Sequence, residues 1–109
     1  MSPYPESPTL NTEFFGKTLS GPFTIPSGIV TTATPIIQYV FDHMPEVGVV
    51  TTKSIGLEPR LGNREPVLSQ YAPGCFVNAV GLTNPGARQA AELMAQLRVP
   101  ADRFLLTSI

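Results

Sequence analysis

Lys53-Ser54 ends a run of mostly β-branched residues, Val47-Gly48-Val49-Val50-Thr51-Thr52, and is the position in this chain best suited to chemistry. An ammonium at the end of a buried strand must be met by its site or by a counter-ion, because burying it alone costs on the order of several kcal/mol. Two uses fit. In one, Lys53 reaches bulk water or pairs with Glu58; in the other, it is a fixed cation facing a ligand where negative charge accumulates. Ser27-Gly28, which follows Phe23–Ile25 and Pro26, is either a tight turn or a place where glycine lets backbone N–H groups approach an oxygen-rich ligand. Asn78 is either a turn former or an amide that offers a donor and an acceptor to a planar heterocycle. Gly81, just after it, would keep that wall thin.

The other reactive side chains have simpler explanations. Cys75 has no basic neighbour to activate it and reads as an inert hairpin thiol. His43 closes a segment of helical spacing, where a favourable contact with the helix dipole accounts for it. With one histidine and one cysteine, no metal centre is expected. Walker A, GxGxxG, HExxH and CxxC patterns are all absent, which excludes the enzyme classes built on them.

The elements that would position these residues follow from pattern. Residues 1–10 hold three prolines and read as a flexible lead-in, with one domain over 11–109. Glu13–Phe15 and Lys17–Leu19 read as two short strands broken by Gly16, and Phe23–Ile25 as a buried strand ending in a sharp turn. Thr34-Pro35 predicts a helix start with a hydroxyl cap, followed by Ile36, Ile37, Val40, Phe41 and Met44 at helical spacing. Val47–Thr52 reads as a strand buried on both faces, as in a parallel sheet. Pro66–Tyr71 and Cys75–Asn78 flank Ala72-Pro73-Gly74 and predict a hairpin inserted into the next connection. Asn84-Pro85 repeats the cap-plus-proline signature before Ala87, Ala90, Ala91, Met94 and Leu97, and Phe104–Ile109 reads as another buried strand.

This order predicts an α/β fold: an N-terminal hairpin, then about two and a half βα units with an inserted hairpin. Right-handed helical crossovers give either an open doubly wound sheet or a closed (β/α)8 barrel. A barrel needs about 250 residues, so this would be its N-terminal portion. Ligands in such folds lie beyond the carboxyl ends of the strands. That rule gathers Ser27-Gly28, Lys53-Ser54, the Asn78–Leu82 segment and Thr107-Ser108 on one rim.

Composition narrows the partners. Charged residues make up 14% of the chain, against about 25% in an ordinary domain, so either much of the surface is covered by something larger or the exterior is unusually apolar. Net charge is −1 with no basic stripe, which argues against nucleic acid and anionic membranes. No apolar run approaches the roughly 20 residues of a membrane span, no signal peptide is visible, and a cytoplasmic setting is expected.

Lys53-Ser54, then Leu57-Glu58-Pro59-Arg60-Leu61-Gly62-Asn63, then Asn78-Ala79-Val80-Gly81-Leu82-Thr83-Asn84-Pro85-Gly86, together closely resemble the dihydroorotate dehydrogenase family. Gly21-Pro22-Phe23 through Ser27-Gly28 resembles that family's first strand and flavin loop. The likeness spans residues 10–109, and the Asn-Ala-Val-Gly-Leu segment looks more like the soluble class 1 enzymes, especially the NAD-linked two-subunit type. The resemblance implies an FMN-containing (β/α)8 barrel, cytoplasmic and oligomeric, that oxidises dihydroorotate to orotate in pyrimidine biosynthesis. It further implies that Ser27, Gly28, Lys53 and Ser54 touch FMN, and that Lys53, Asn78, Val80, Gly81 and Leu82 surround the substrate. In that role Lys53 stabilises charge developing on the flavin's carbonyl edge.

Two departures from the family stand out. Pro26 replaces a usual alanine and removes a backbone donor. The catalytic base, further asparagines and phosphate loops of the family are expected beyond Ile109, supplied by another chain or by further sequence, and the determinants of the electron acceptor lie elsewhere too. Two other readings remain: a non-catalytic fragment or interaction module that uses its apolar strand edges, and an FMN oxidoreductase for another small cyclic substrate.

Overall fold

Val47–Thr51, strand β4 of the chain, organises the fold. In the computed structural model, which describes residues 10–28 and 33–109, its first four residues are buried. Val49 and Val50 are both buried although alternation sends them to opposite faces. The expected lead-in over residues 1–10 lies outside the described residues except for its last position.

Seven strands and two helices are described: β1 Thr12–Phe14, β2 Lys17–Leu19, β3 Phe23–Ile25, α1 Thr34–His43, β4, β5 Leu68–Ala72, β6 Cys75–Asn78, α2 Ala87–Met94 and β7 Phe104–Leu106. β4 lies between β3 and β7 in a parallel three-stranded sheet, with Ile25 opposite Val50 and Val50 opposite Leu105. β1–β2 and β5–β6 form separate antiparallel pairs. The radius of gyration is 17.2 Å, against about 13 Å for a compact chain of this length. The described residues therefore form an open sheet with appended hairpins and no closed barrel.

α1 packs onto the sheet through Ile37, Val40 and Phe41, which join Val47 and Val50 in the core. Ile25, Leu97 and Leu105 lie against this cluster. At the opposite end from the rim, Arg103 is 6% exposed, and its guanidinium donates to the Met44 and Val47 carbonyls at 3.3 Å each. The same end anchors the first hairpin: Lys17 Nζ donates to the Arg103 carbonyl at 2.7 Å and lies 4.3 Å from the Phe104 ring centre.

Several expectations shift. Thr34 is the first residue of α1 rather than its cap; Ala33 holds the cap position in extended backbone, with no side-chain cap bond. Ile36 and Met44 are exposed, because the helix turns only one stripe to the sheet. Asn84 does not cap α2 either, since the cap residue is Gly86. β1 runs over Thr12–Phe14, one residue earlier than read, and β5 over Leu68–Ala72. The last strand stops at Leu106 and is only half-buried: β7 is an edge strand with a neighbour on one side, and Ile109 is 98% exposed.

Candidate functional site

Parallel pairing brings the carboxyl ends of β3, β4 and β7 to one edge, and each carries a serine two or three residues beyond its strand. The Ser54 hydroxyl lies 3.3 Å from that of Ser27 and 2.7 Å from that of Ser108. This row of three hydroxyls runs from the end of one strand to the next along the rim. Its β7 member is fixed by the backbone. Ser108 N donates to the buried Thr52 Oγ1 at 3.2 Å, and the Ser108 carbonyl accepts from Ile55 N at 2.9 Å. Gly28 follows Ser27 with φ +87, and among the described residues nothing lies within 4 Å of where a Cβ would stand.

Lys53 is half-buried on the same rim. Among the described residues it makes no hydrogen bond or ion pair, so the pairing with Glu58 that its sequence allowed is not formed. Lys53 lines a cleft of about 420 Å³ between the rim and the helices, with Thr34 and Ile37 of α1 and Ala90 and Leu93 of α2 among its walls. Ser54 opens instead onto a neighbouring cleft of about 570 Å³ that includes Leu82 and Ile109. Ile55, Pro59, Arg60 and Asn84 border both.

The segment after β6 is drawn to this rim by the loop that follows β4. Arg60 and Asn84 exchange two backbone hydrogen bonds of 2.9 Å, and Arg60 Nε donates to the Gly81 carbonyl at 2.8 Å. Asn63 N donates to the Val80 carbonyl at 2.9 Å. Gly81 has φ +84, and a Cβ there would stand 2.8 Å from Asn63 N, so only glycine lets the two loops close this far. Leu82 follows at φ +56 and is 66% exposed.

The residues singled out from sequence are thus partly assembled. Ser27, Gly28, Lys53 and Ser54 share the rim; Val80, Gly81 and Leu82 are held to it through Arg60 and Asn63. Asn78 shares no described cleft with Lys53: it ends β6 opposite Leu68, is exposed, and borders none of the three described clefts. The hairpin that carries it pairs with itself, and both its strands are exposed. Asn84, read as a helix cap, proves to bind three backbone groups of the rim and its flanking loops. Its Asn-Pro signature gave no hint of this, because the partner Gly56 lies 28 residues away.

The donor set is one of hydroxyls, one ammonium, one guanidinium and backbone amides, beside clefts with apolar walls. Such a set suits a planar, oxygen- and nitrogen-edged ligand. Among the described residues no group of three or more metal-ligating side chains occurs, and no helix is long and apolar enough to cross a membrane.

Comparison with known proteins agrees with the sequence motifs. The family model described as dihydroorotate dehydrogenase matches residues 9–103. The catalytic subunit of dihydroorotate dehydrogenase B (NAD(+)) from Pyrococcus furiosus is 37% identical over 78 residues, covering 72% of this chain and 25% of that protein. The Methanocaldococcus jannaschii subunit of the same name is 33% identical over 95 residues, 87% of this chain and 30% of that protein. That of Geobacter sulfurreducens is 29% identical over 104 residues, covering 95% and 32%. The chain therefore spans between a quarter and a third of the length of these relatives. With residues 9–103 matched by its family model, the chain belongs to the dihydroorotate dehydrogenase family.

Proposed function

We propose that residues 11–109 form part of an FMN-binding (β/α)8 barrel that oxidises dihydroorotate to orotate in pyrimidine biosynthesis, in the cytoplasm and as an oligomer. The single observation that carries this reading is the gathering of Ser27, Ser54 and Lys53 at the carboxyl ends of adjacent parallel strands, where α/β enzymes hold their ligands. The rest of the barrel, including the catalytic base, comes from other segments or another chain.

FMN, when bound, supplies the two-electron acceptor for the substrate's C–H bond. Ser27 and Ser54 would hold its ring edge through their hydroxyls, and Gly28 would let that edge approach the backbone. Lys53 would place a fixed positive charge by the carbonyl side of the ring, where negative charge grows during reduction. Val80, Gly81 and Leu82 would form the substrate's wall, and Asn78 would hold its planar ring once the hairpin closes over the mouth. Hydroxyls, an ammonium and apolar walls on one rim fit such a group.

The second reading, an interaction module of the same fold, draws support from the apolar residues left open near the mouth, Leu57 at 81%, Leu61 at 97% and Ile109 at 98% exposed. In the preferred reading those residues meet the remaining barrel.

Anaerobic mixing of the FMN-loaded full-length protein with dihydroorotate tests the proposal by bleaching of the flavin absorbance. Wild type should be reduced, and Lys53→Ala should slow that reduction by about 10²- to 10³-fold while leaving the folded state intact. Absence of reduction by dihydroorotate, with reduction by a different cyclic substrate, would transfer the site to that substrate. Absence of flavin binding would favour the interaction module.

A further inference from the structure

We infer that Asn84 is a positioning residue that fixes the spacing between the two loops of the ligand mouth, the one after Lys53-Ser54 and the one that ends at Leu82. This rests on the function proposed above. Both polar atoms of its side chain bind backbone. Oδ1 accepts from Gly56 N at 3.0 Å and from Gly86 N at 2.9 Å, and Nδ2 donates to the Leu82 carbonyl at 2.9 Å. Its own backbone is paired both ways with Arg60.

What these bonds join matters more than their number. Gly56 lies two residues beyond Ser54, in the loop whose first residues carry the ammonium and the hydroxyl. Leu82 ends the substrate-side segment and holds a left-handed backbone that a leucine adopts only when its surroundings enforce it. The carboxamide therefore ties a strained ligand-facing residue to the loop that carries Lys53. Asn84 also borders both the cleft of Lys53 and the cleft of Ser54, so it stands in the wall between them. A helix cap would need only its own first turn; this side chain reaches across 28 residues as well.

Both polar ends of the amide are used, so the two functions separate by substitution. Asn84→Asp keeps an acceptor for Gly56 and Gly86 but loses the donor to Leu82 and sets oxygen against oxygen there. Asn84→Ala loses both. Misplacement of a reacting group by about 1 Å can cost on the order of 10²-fold in rate.

The experiment uses the FMN-loaded full-length protein as wild type, Asn84→Asp and Asn84→Ala. It measures kcat and KM for dihydroorotate, the flavin absorption spectrum, and hydrogen exchange of the Gly56 amide. In Asn84→Asp the Gly56 amide should stay protected and the flavin spectrum unchanged, while KM rises about tenfold and kcat falls about ten- to a hundredfold. In Asn84→Ala the Gly56 amide should exchange faster and the flavin spectrum shift as well. Variants with kcat and KM within twofold of wild type, altered only in thermal unfolding, would overturn the inference. Should Asn84→Ala not fold, the near-isosteric Asp variant decides alone. A wild type that dihydroorotate cannot reduce would remove the proposed function and this inference with it, whereas an active wild type with unaffected variants removes only the inference.

Discussion

The hydroxyl oxygens of Ser54 and Ser108 stand 2.7 Å apart at the ends of neighbouring parallel strands, and Ser54 in turn reaches Ser27 at 3.3 Å. Ser108 is the better anchored of the first pair. Its amide is bonded to Thr52 Oγ1 and its carbonyl to Ile55 N, so it orients Ser54 rather than the reverse.

Removing that anchor should be felt by whatever Ser54 binds. Ser108→Ala is expected to weaken FMN affinity by about 2- to 10-fold, the equivalent of one neutral hydrogen bond of about 0.5–1.5 kcal/mol. Fluorescence titration of the apoprotein with FMN checks this. An unchanged affinity would mean that Ser54 is held by other groups.

The closure of the two loops depends on the absence of one carbon atom. Gly81→Ala places a Cβ 2.7 Å from Asn63 Cγ and forces alanine into φ +84. A loss of about 1–3 kcal/mol is expected, read as a lower urea midpoint with an unchanged slope. Gly74→Ala provides the contrast: its φ is also positive, at +73, but a Cβ there meets nothing within 4 Å, so only the backbone cost applies.

At the far end of the sheet the decisive contacts of Arg103 are with carbonyls, not with a carboxylate. Its Nε lies 3.6 Å from Asp102 Oδ1, too far for a hydrogen bond, and has no other partner among the described residues. Asp102 is itself half exposed, which screens the attraction. Arg103→Leu should therefore cost about 1–3 kcal/mol through the donors lost to Met44 and Val47. Asp102→Asn should cost less than about 1 kcal/mol. Denaturant unfolding of the two variants side by side separates these contributions; equal losses would restore the ion pair to the main role.

The central strand was the most legible part of the molecule, whereas β3, read as buried, leaves Phe23 and Thr24 exposed. Val47–Thr52 reads as a strand covered on both faces from its β-branched run, and Val47–Thr51 forms such a strand with its first four residues buried. Cys75–Asn78 was legible from the Pro-Gly turn before it. Side-chain hydrogen bonds were not. Asn84 before Pro85 carries the same signature as a helix cap, and only the folded chain shows that Gly56 arrives beside it. The same limit applies to Asn78, whose motif is plain in the sequence but which lines no described cleft with Lys53. Ile109 belongs to an apolar run that pattern extends into a strand, yet pairing stops at Leu106, because an edge strand is set by its single neighbour and not by its own composition.

The β5–β6 ladder closes entirely upon itself, from Leu68 opposite Asn78 to Ala72 opposite Cys75, and shares no register with the parallel sheet. Its length is accordingly free to vary. Because loop-closure entropy grows only with the logarithm of length, doubling such an insertion costs about 0.6 kcal/mol. The tip around Pro73-Gly74 is thus a natural place to graft a foreign sequence or a reporter label, with β4 and β7 keeping their alignment beneath it.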